Sequence, residues 1–237
     1  MEHVQWTDGR PQLREPILLA AFEGWGDAGD AASTAARHLR DRLGGVAFAE
    51  IDPEPFYDFT DTRPMVRIEG DGRQIEWPSN EFSAVALPLG TRDLIVLVGV
   101  EPQLQWKTYS RQIISMIEEF DVKLVVTMGA LIADVVHSRP TQIYTSGYDA
   151  ELNKRLDLEP PTYEGPTGIV GVLHDALRNN DIGSVSMWGS VPSYVPNATS
   201  PKAALALVEK ISQLLEVPIP TTALEIGAAA YERQISE

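Results

Sequence analysis

The chain has 237 residues and no cysteine. Without thiols there is no disulfide framework, no thiolate metal site and no cysteine nucleophile. Positive charge is also scarce: 19 Lys and Arg stand against 34 Asp and Glu, a formal charge of −15. Neutralising phosphates takes clustered cations, so nucleic acid is not an expected partner. Long apolar runs are missing. The longest, LIVLVGV at 94–100, falls far short of the roughly 20 residues that span a bilayer. The opening MEHVQWTDGRPQL has neither the basic nor the apolar stretch of a signal peptide. These absences predict a cytoplasmic protein held by no membrane. Histidine is sparse, with four residues and no H-x-x-x-H pair, and no EF-hand spacing or P-loop occurs, so neither metal nor cofactor is expected. A nucleophile elbow is absent too, because Trp188-Gly-Ser190-Val-Pro lacks its second glycine.

What the chain does contain is an alternation of apolar runs and amphipathic stretches. Strands are expected at 17–22, 46–51, 94–100, 124–128, 141–144 and 185–188, and helices at 28–43, 107–120, 150–156, 169–177, 201–215 and 222–234. The runs at 94–100 and 124–128 are continuously apolar, as strands covered on both faces must be. Segments 65–69 and 74–77 flank Gly70-Asp71-Gly72-Arg73, a hairpin signal, and 85–87 is expected to extend that antiparallel piece. The pattern predicts a three-layer α/β/α fold with a mostly parallel central sheet. A single domain over 1–237 is expected, with a hairpin insertion at about 62–88 and a C-terminal helical segment at about 201–237. The acids of the stretch 50–61 read as a solvated loop, or as a docking face for a basic partner.

Gly24-Trp25-Gly26-Asp27-Ala28-Gly29 spells G-x-G-x-x-G between a strand and a helix, with Glu50 or Asp52 about 20 residues on. A dinucleotide needs an uncontested positive helix end for its pyrophosphate. Here Glu23, Asp27 and Asp30 surround that end with carboxylates, and Trp25 adds bulk. Asp27 reads instead as a helix cap worth about 1 kcal/mol.

Open α/β sheets bind ligands beyond the carboxyl ends of their strands. On that criterion Glu23, Asp27, Glu101 and His137 are the candidates for acid–base work, and Trp25, Trp106, Gly129, Asp134, Arg139, Glu164, Thr167 and Tyr194 are candidates for the rim of a ligand cleft. Plainer readings stand beside these. Glu101-Pro102 suits a turn and Thr167 a helix cap, His174 sits inside a helix, and Trp188 suits the edge of the core.

Five motifs occur in order: EGWGDAGDAA from 23, GVEPQLQW at 99–106, MGALIADVVHSRP at 128–140, YEGPTGIVGVLHDA at 163–176 and VPSYVPNATSPKAALALV at 191–208. Together they resemble the bacterial branch of the proteasome assembly chaperone 2 family, over roughly residues 15–215. The resemblance implies a fold similar to that of purine nucleoside phosphorylases and related hydrolases, and assembly of the chain with itself into trimers or other rings. It also implies a non-catalytic interaction or assembly factor with proteasome subunits among its partners. The alternative is a small-molecule-binding enzyme of hydrolase, phosphorylase or carboxylate–amine ligase type, acting in the strand-end cleft. Some family members dock through a C-terminal tail with a penultimate tyrosine. This chain ends Ala230-Tyr231-Glu-Arg-Gln-Ile-Ser-Glu237, so docking by that tail is not expected.

Overall fold

The computed structural model describes residues 1–7, 9–70, 72–195 and 198–236. Asp71 of the hairpin turn, Pro196 and Asn197 of the fifth motif and Glu237 of the tail lie outside the described residues. The chain begins with β1 (Val4–Trp6) and β2 (Ile17–Glu23), then a 3-10 turn (Ala28–Asp30), α1 (Ala31–Arg42) and β3 (Val46–Ile51). The hairpin β4 (Met65–Glu69) and β5 (Gly72–Glu76) follows, and then β6 (Asn80–Val85), β7 (Leu94–Val100), α2 (Trp106–Glu119) and β8 (Leu124–Ala133). The remainder is β9 (Ile143–Gly147), α3 (Ala150–Leu156), α4 (Ile169–Arg178), β10 (Ser184–Pro192), α5 (Pro201–Leu215) and α6 (Thr222–Ser236).

Eight strands form one sheet in the order β1-β3-β6-β7-β2-β8-β10-β9. The four in the middle, β7, β2, β8 and β10, are mutually parallel, and antiparallel strands flank them on both sides. Alternation along β2 explains the layers. Ile17, Leu19 and Ala21 pack toward α1 and α5, whereas Leu18, Ala20 and Phe22 pack toward α2 and α4. Each large side chain covered this way contributes about 1.5–3 kcal/mol relative to exposure. Helix α1 meets the sheet through Ala32, Ala35, Ala36 and Leu39, a small-residue face that permits close approach. The expected α/β/α arrangement is the one the chain adopts.

Segment 85–87 does not extend the hairpin as expected. The strand there is β6, and it joins the main sheet between β3 and β7. Asn80, Glu81 and Ser83 interrupt its apolar run, yet Asn80, Phe82, Ser83 and Val85 are all buried, because a strand inside a sheet is covered wherever its neighbours lie. Strand β8 runs five residues beyond its expected end, straight through Gly129.

The connections position the site. From β2 the chain leaves through α1 on one face, and from β7 it leaves through α2 on the other, crossing to β8 on the far side of β2. Helices departing in opposite directions leave a crevice over the carboxyl end of β2.

Candidate functional site

That crevice is a cavity of about 900 Å³, within the usual range for small-molecule sites. The 24–30 loop forms one wall and the segment 161–171, which leads into α4, forms another. The floor comes from the ends of β8, β9 and β10.

Asp27 is buried. Its Oδ1 accepts hydrogen bonds from the amides of Ala32 (2.7 Å) and Ser33 (3.3 Å), so the carboxylate reaches over the 3-10 turn to the first turn of α1. Burial pushes the Asp27 carboxyl above the usual carboxylate range, while its hydrogen bonds to Ser33 and Ala32 pull the other way. The residue at the helix boundary is Asp30, left-handed and without a side-chain capping bond.

Glu101 performs the same task for α4. Its Oε1 accepts from the amide of Ile169 at 2.8 Å, and its Oε2 from that of Trp25 at 3.3 Å. Thr167 does not cap this helix; the boundary residue is Gly168, and Glu101 supplies the acceptor from another strand. Gly24 takes φ +125°, and a Cβ there would lie 3.3 Å from Glu101, so the first glycine of the G-x-G-x-x-G lets a carboxylate of the protein itself close over the loop. Each helix end that would attract a phosphate thus faces a negative side chain.

Of the acid–base and cleft-rim candidates named from the sequence, Trp25, Asp27, Glu101 and Thr167 line this cavity, and so do Asp30 and Trp188. Gly129 lies beneath it. It pairs with Trp188 across β8 and β10, and a Cβ at 129 would come within 2.5 Å of the indole, so its hydrogen lets Trp188 lie flat across β8. Glu23 lies outside the cavity lining and pairs with Arg37 of α1. Trp106 is tied by its Nε1–H to the carbonyl of Pro102 and packs against the α2/α4 core. Asp134 and Glu164 are exposed on loops.

His137 belongs to a separate cluster. Its amide donates to the Tyr194 hydroxyl at 2.7 Å, its Nδ1 contacts the same oxygen, and its Nε2 lies 3.0 Å from Ser236 Oγ of α6. Arg139 and Lys202 border the same small recess. His174 is fully buried, between Thr127 and Ser184, and its ring stacks on Tyr148 at 3.9 Å. Burial lowers its pKa to about 3, so the imidazole is neutral at physiological pH.

Sequence reasoning missed the aromatic wall. Tyr144, Ser146 and Tyr148 share one face of β9 and its extension, with Trp188 and Ser186 of β10 alongside, and Tyr163 lines the same cavity. The signal was the alternation in IYTSGY, where every second residue carries a ring or a hydroxyl. Among the described residues lining the cavity there is no histidine, lysine or arginine. The groove offers hydroxyls, carboxylates and π-faces. Among the described residues that line the cavity, no imidazole stands beside a serine or threonine as a general base.

Among the described residues, no three His, Asp or Glu gather as metal ligands would, and no helix is long and apolar enough to cross a membrane. The sequence matches the PAC2 family over residues 21–237. A PAC2 family protein from Streptomyces avermitilis is 40% identical with a TM-score of 0.90, covering 93% of this chain and 94% of that one. A proteasome-assembly chaperone homologue from Mycobacterium tuberculosis is 37% identical with a TM-score of 0.85 and the same coverage, 93% and 94%. An archaeal proteasome activator from Pyrococcus furiosus shares the fold (TM-score 0.80, all of both chains) at 21% identity. Among curated proteins none matches.

Proposed function

The chain belongs to the PAC2 family, and on that premise we propose that it is a cytoplasmic, non-catalytic interaction or assembly factor that associates with itself, as a trimer, and with proteasome subunits. The observation that carries this reading is the 37% identity, over nearly the whole chain, to a proteasome-assembly chaperone homologue. The hairpin β4–β5 supports it. Every residue of the two strands is exposed, and the register puts Val66 opposite Ile75 with Ile68 next on the same face. Trp77, two residues past Ile75, meets Phe59 edge-on at 4.9 Å and is still 45% exposed. Apolar faces left open to water in this way mark protein contacts.

Two measurements test the proposal. Immobilised protein should retain purified proteasome α-subunits above background; retention no better than a bare matrix removes the proteasome partner. Light scattering should give a mass three times that of the chain, and a monomer mass removes the trimer. A second reading, a small-molecule binder or enzyme acting in the strand-end cavity, is favoured by the cavity's size and aromatic lining.

A further inference from the structure

The composition of the cavity wall specifies the charge of a ligand. Asp27, Asp30 and Glu101 line it, and no cationic side chain does among the described residues. The two helix ends that Asp27 and Glu101 face return roughly half a positive charge each, so three carboxylates leave the groove negative. A carboxylate oxygen has two lone-pair sites, and Glu101 spends one bond per oxygen on the amides of Trp25 and Ile169. Acceptor capacity therefore remains. An anion entering this space would meet like charge with nothing to balance it.

The rings supply the second half of the recognition. Trp25 is 65% exposed and Tyr163 68%, and both line the cavity together with Tyr144, Tyr148 and Trp188. Exposed indole and phenol rings around a groove offer π-faces, which attract an ammonium or guanidinium group, most strongly where neighbouring walls exclude water. Aromatic rings together with carboxylates favour a positive head, and the volume leaves room for an apolar or aromatic body.

We propose that the strand-end cavity is a binding site for a small organic cation, an ammonium or guanidinium carried on an apolar or aromatic body, held against the exposed rings of Trp25 and Tyr163 with Glu101 and Asp27 as its negative counterparts. This rests on the second reading above, that the cavity takes a ligand, and is independent of proteasome association. The cation enters without exchange of covalent bonds.

The test uses the full chain and three soluble probes of similar size: 2-phenylethylammonium, 2-phenylethanol and 3-phenylpropionate. Binding is followed by calorimetry and by the fluorescence of Trp25 and Trp188. The cation should bind with saturation about tenfold or more tighter than the neutral alcohol, weaken as salt is added, and outcompete the anion. Trp25→Ala and Tyr163→Ala, both at exposed positions, should each weaken it about three- to tenfold while the unfolding midpoint stays in place. Equal affinity for cation and alcohol, or preference for the anion, overturns the cation assignment and leaves a ligand cavity standing. No saturable signal from any probe overturns both. Binding of the cation untouched by either substitution overturns the location.

Discussion

Strands β2 and β7 and the hairpin strands β4 and β5 all place isoleucine among their apolar residues, but in opposite surroundings, and the hairpin adds Arg67, Glu69, Arg73 and Glu76. In β2 and β7 every residue except the last is buried, and in β4 and β5 every residue is exposed. The difference lies in neighbours. β2 and β7 have a strand on each side and helices over both faces, whereas the hairpin pairs only with itself in a two-stranded sheet. An isolated two-stranded ribbon is at best marginal in water. Apolar residues in the first setting hold the fold together, and in the second they remain available to another molecule.

The largest contrast should appear on truncating a side chain in each place. Leu19→Ala removes a fully buried side chain from the α1/α5 face and should cost about 2–5 kcal/mol in chemical denaturation. A loss under 1 kcal/mol would mean that the sheet is not the core.

Next in size is a pH effect within the covered half. The unfolded His174 takes up a proton near its ordinary pKa of 6.5, the folded one only near 3. Between those values the unfolded state binds more protons, so stability falls as the pH drops. At about 1.4 kcal/mol per unit, acidification from neutrality to about pH 4.5 should cost about 2–3 kcal/mol through this residue. The check is a pH series of unfolding free energies, with His174→Gln expected to flatten the slope above pH 4.5.

Asp93 supports the start of β7 at the rim of the same half. It accepts from the amides of Arg14 (2.8 Å) and Leu87 (2.9 Å) and from the Arg14 guanidinium (2.8 Å). Burial works to raise its pKa, but those bonds outweigh it and hold the carboxyl at about 2. Its contribution is therefore complete above the unfolded carboxylate value of 3.8 and disappears as the pH falls toward 2. Asp93→Asn should lower stability by about 2 kcal/mol at neutral pH, measured by the shift in denaturation midpoint.

The smallest effect on stability belongs to the hairpin. Ile68→Asp, at a residue 78% exposed, should change the unfolding free energy by no more than about 0.5 kcal/mol and yet reduce self-association in light scattering. A large loss of stability would place the hairpin in the core after all.

Legibility followed the reach of each signal. Helices 150–156 and 201–215 and strands 46–51 and 94–100 occur where the sequence places them, because run length and periodicity are local properties. Strand β1 has three residues, too few for a pattern, and is held by pairing with β3. The far ends of β8 and β10 escaped notice because Gly129 and Gly189 read as strand ends, whereas the strands continue through both as direct neighbours of Trp188 and Ala130. The capping role of Asp27 was readable from a helix start a few residues away. That of Glu101 was not, since it serves an amide 68 positions along the chain.

Charge balance, absent thiols, apolar periodicity and the glycine bend after the first strand were set by residue identity, because each acts within a few residues or across the whole composition. Which carboxylate meets which helix end, which rings face one cavity, and that His137 lies with α6 rather than beside Asp27 were decided by strand order. A parallel sheet brings together the ends of segments far apart in the chain, and no spacing along the chain encodes that distance.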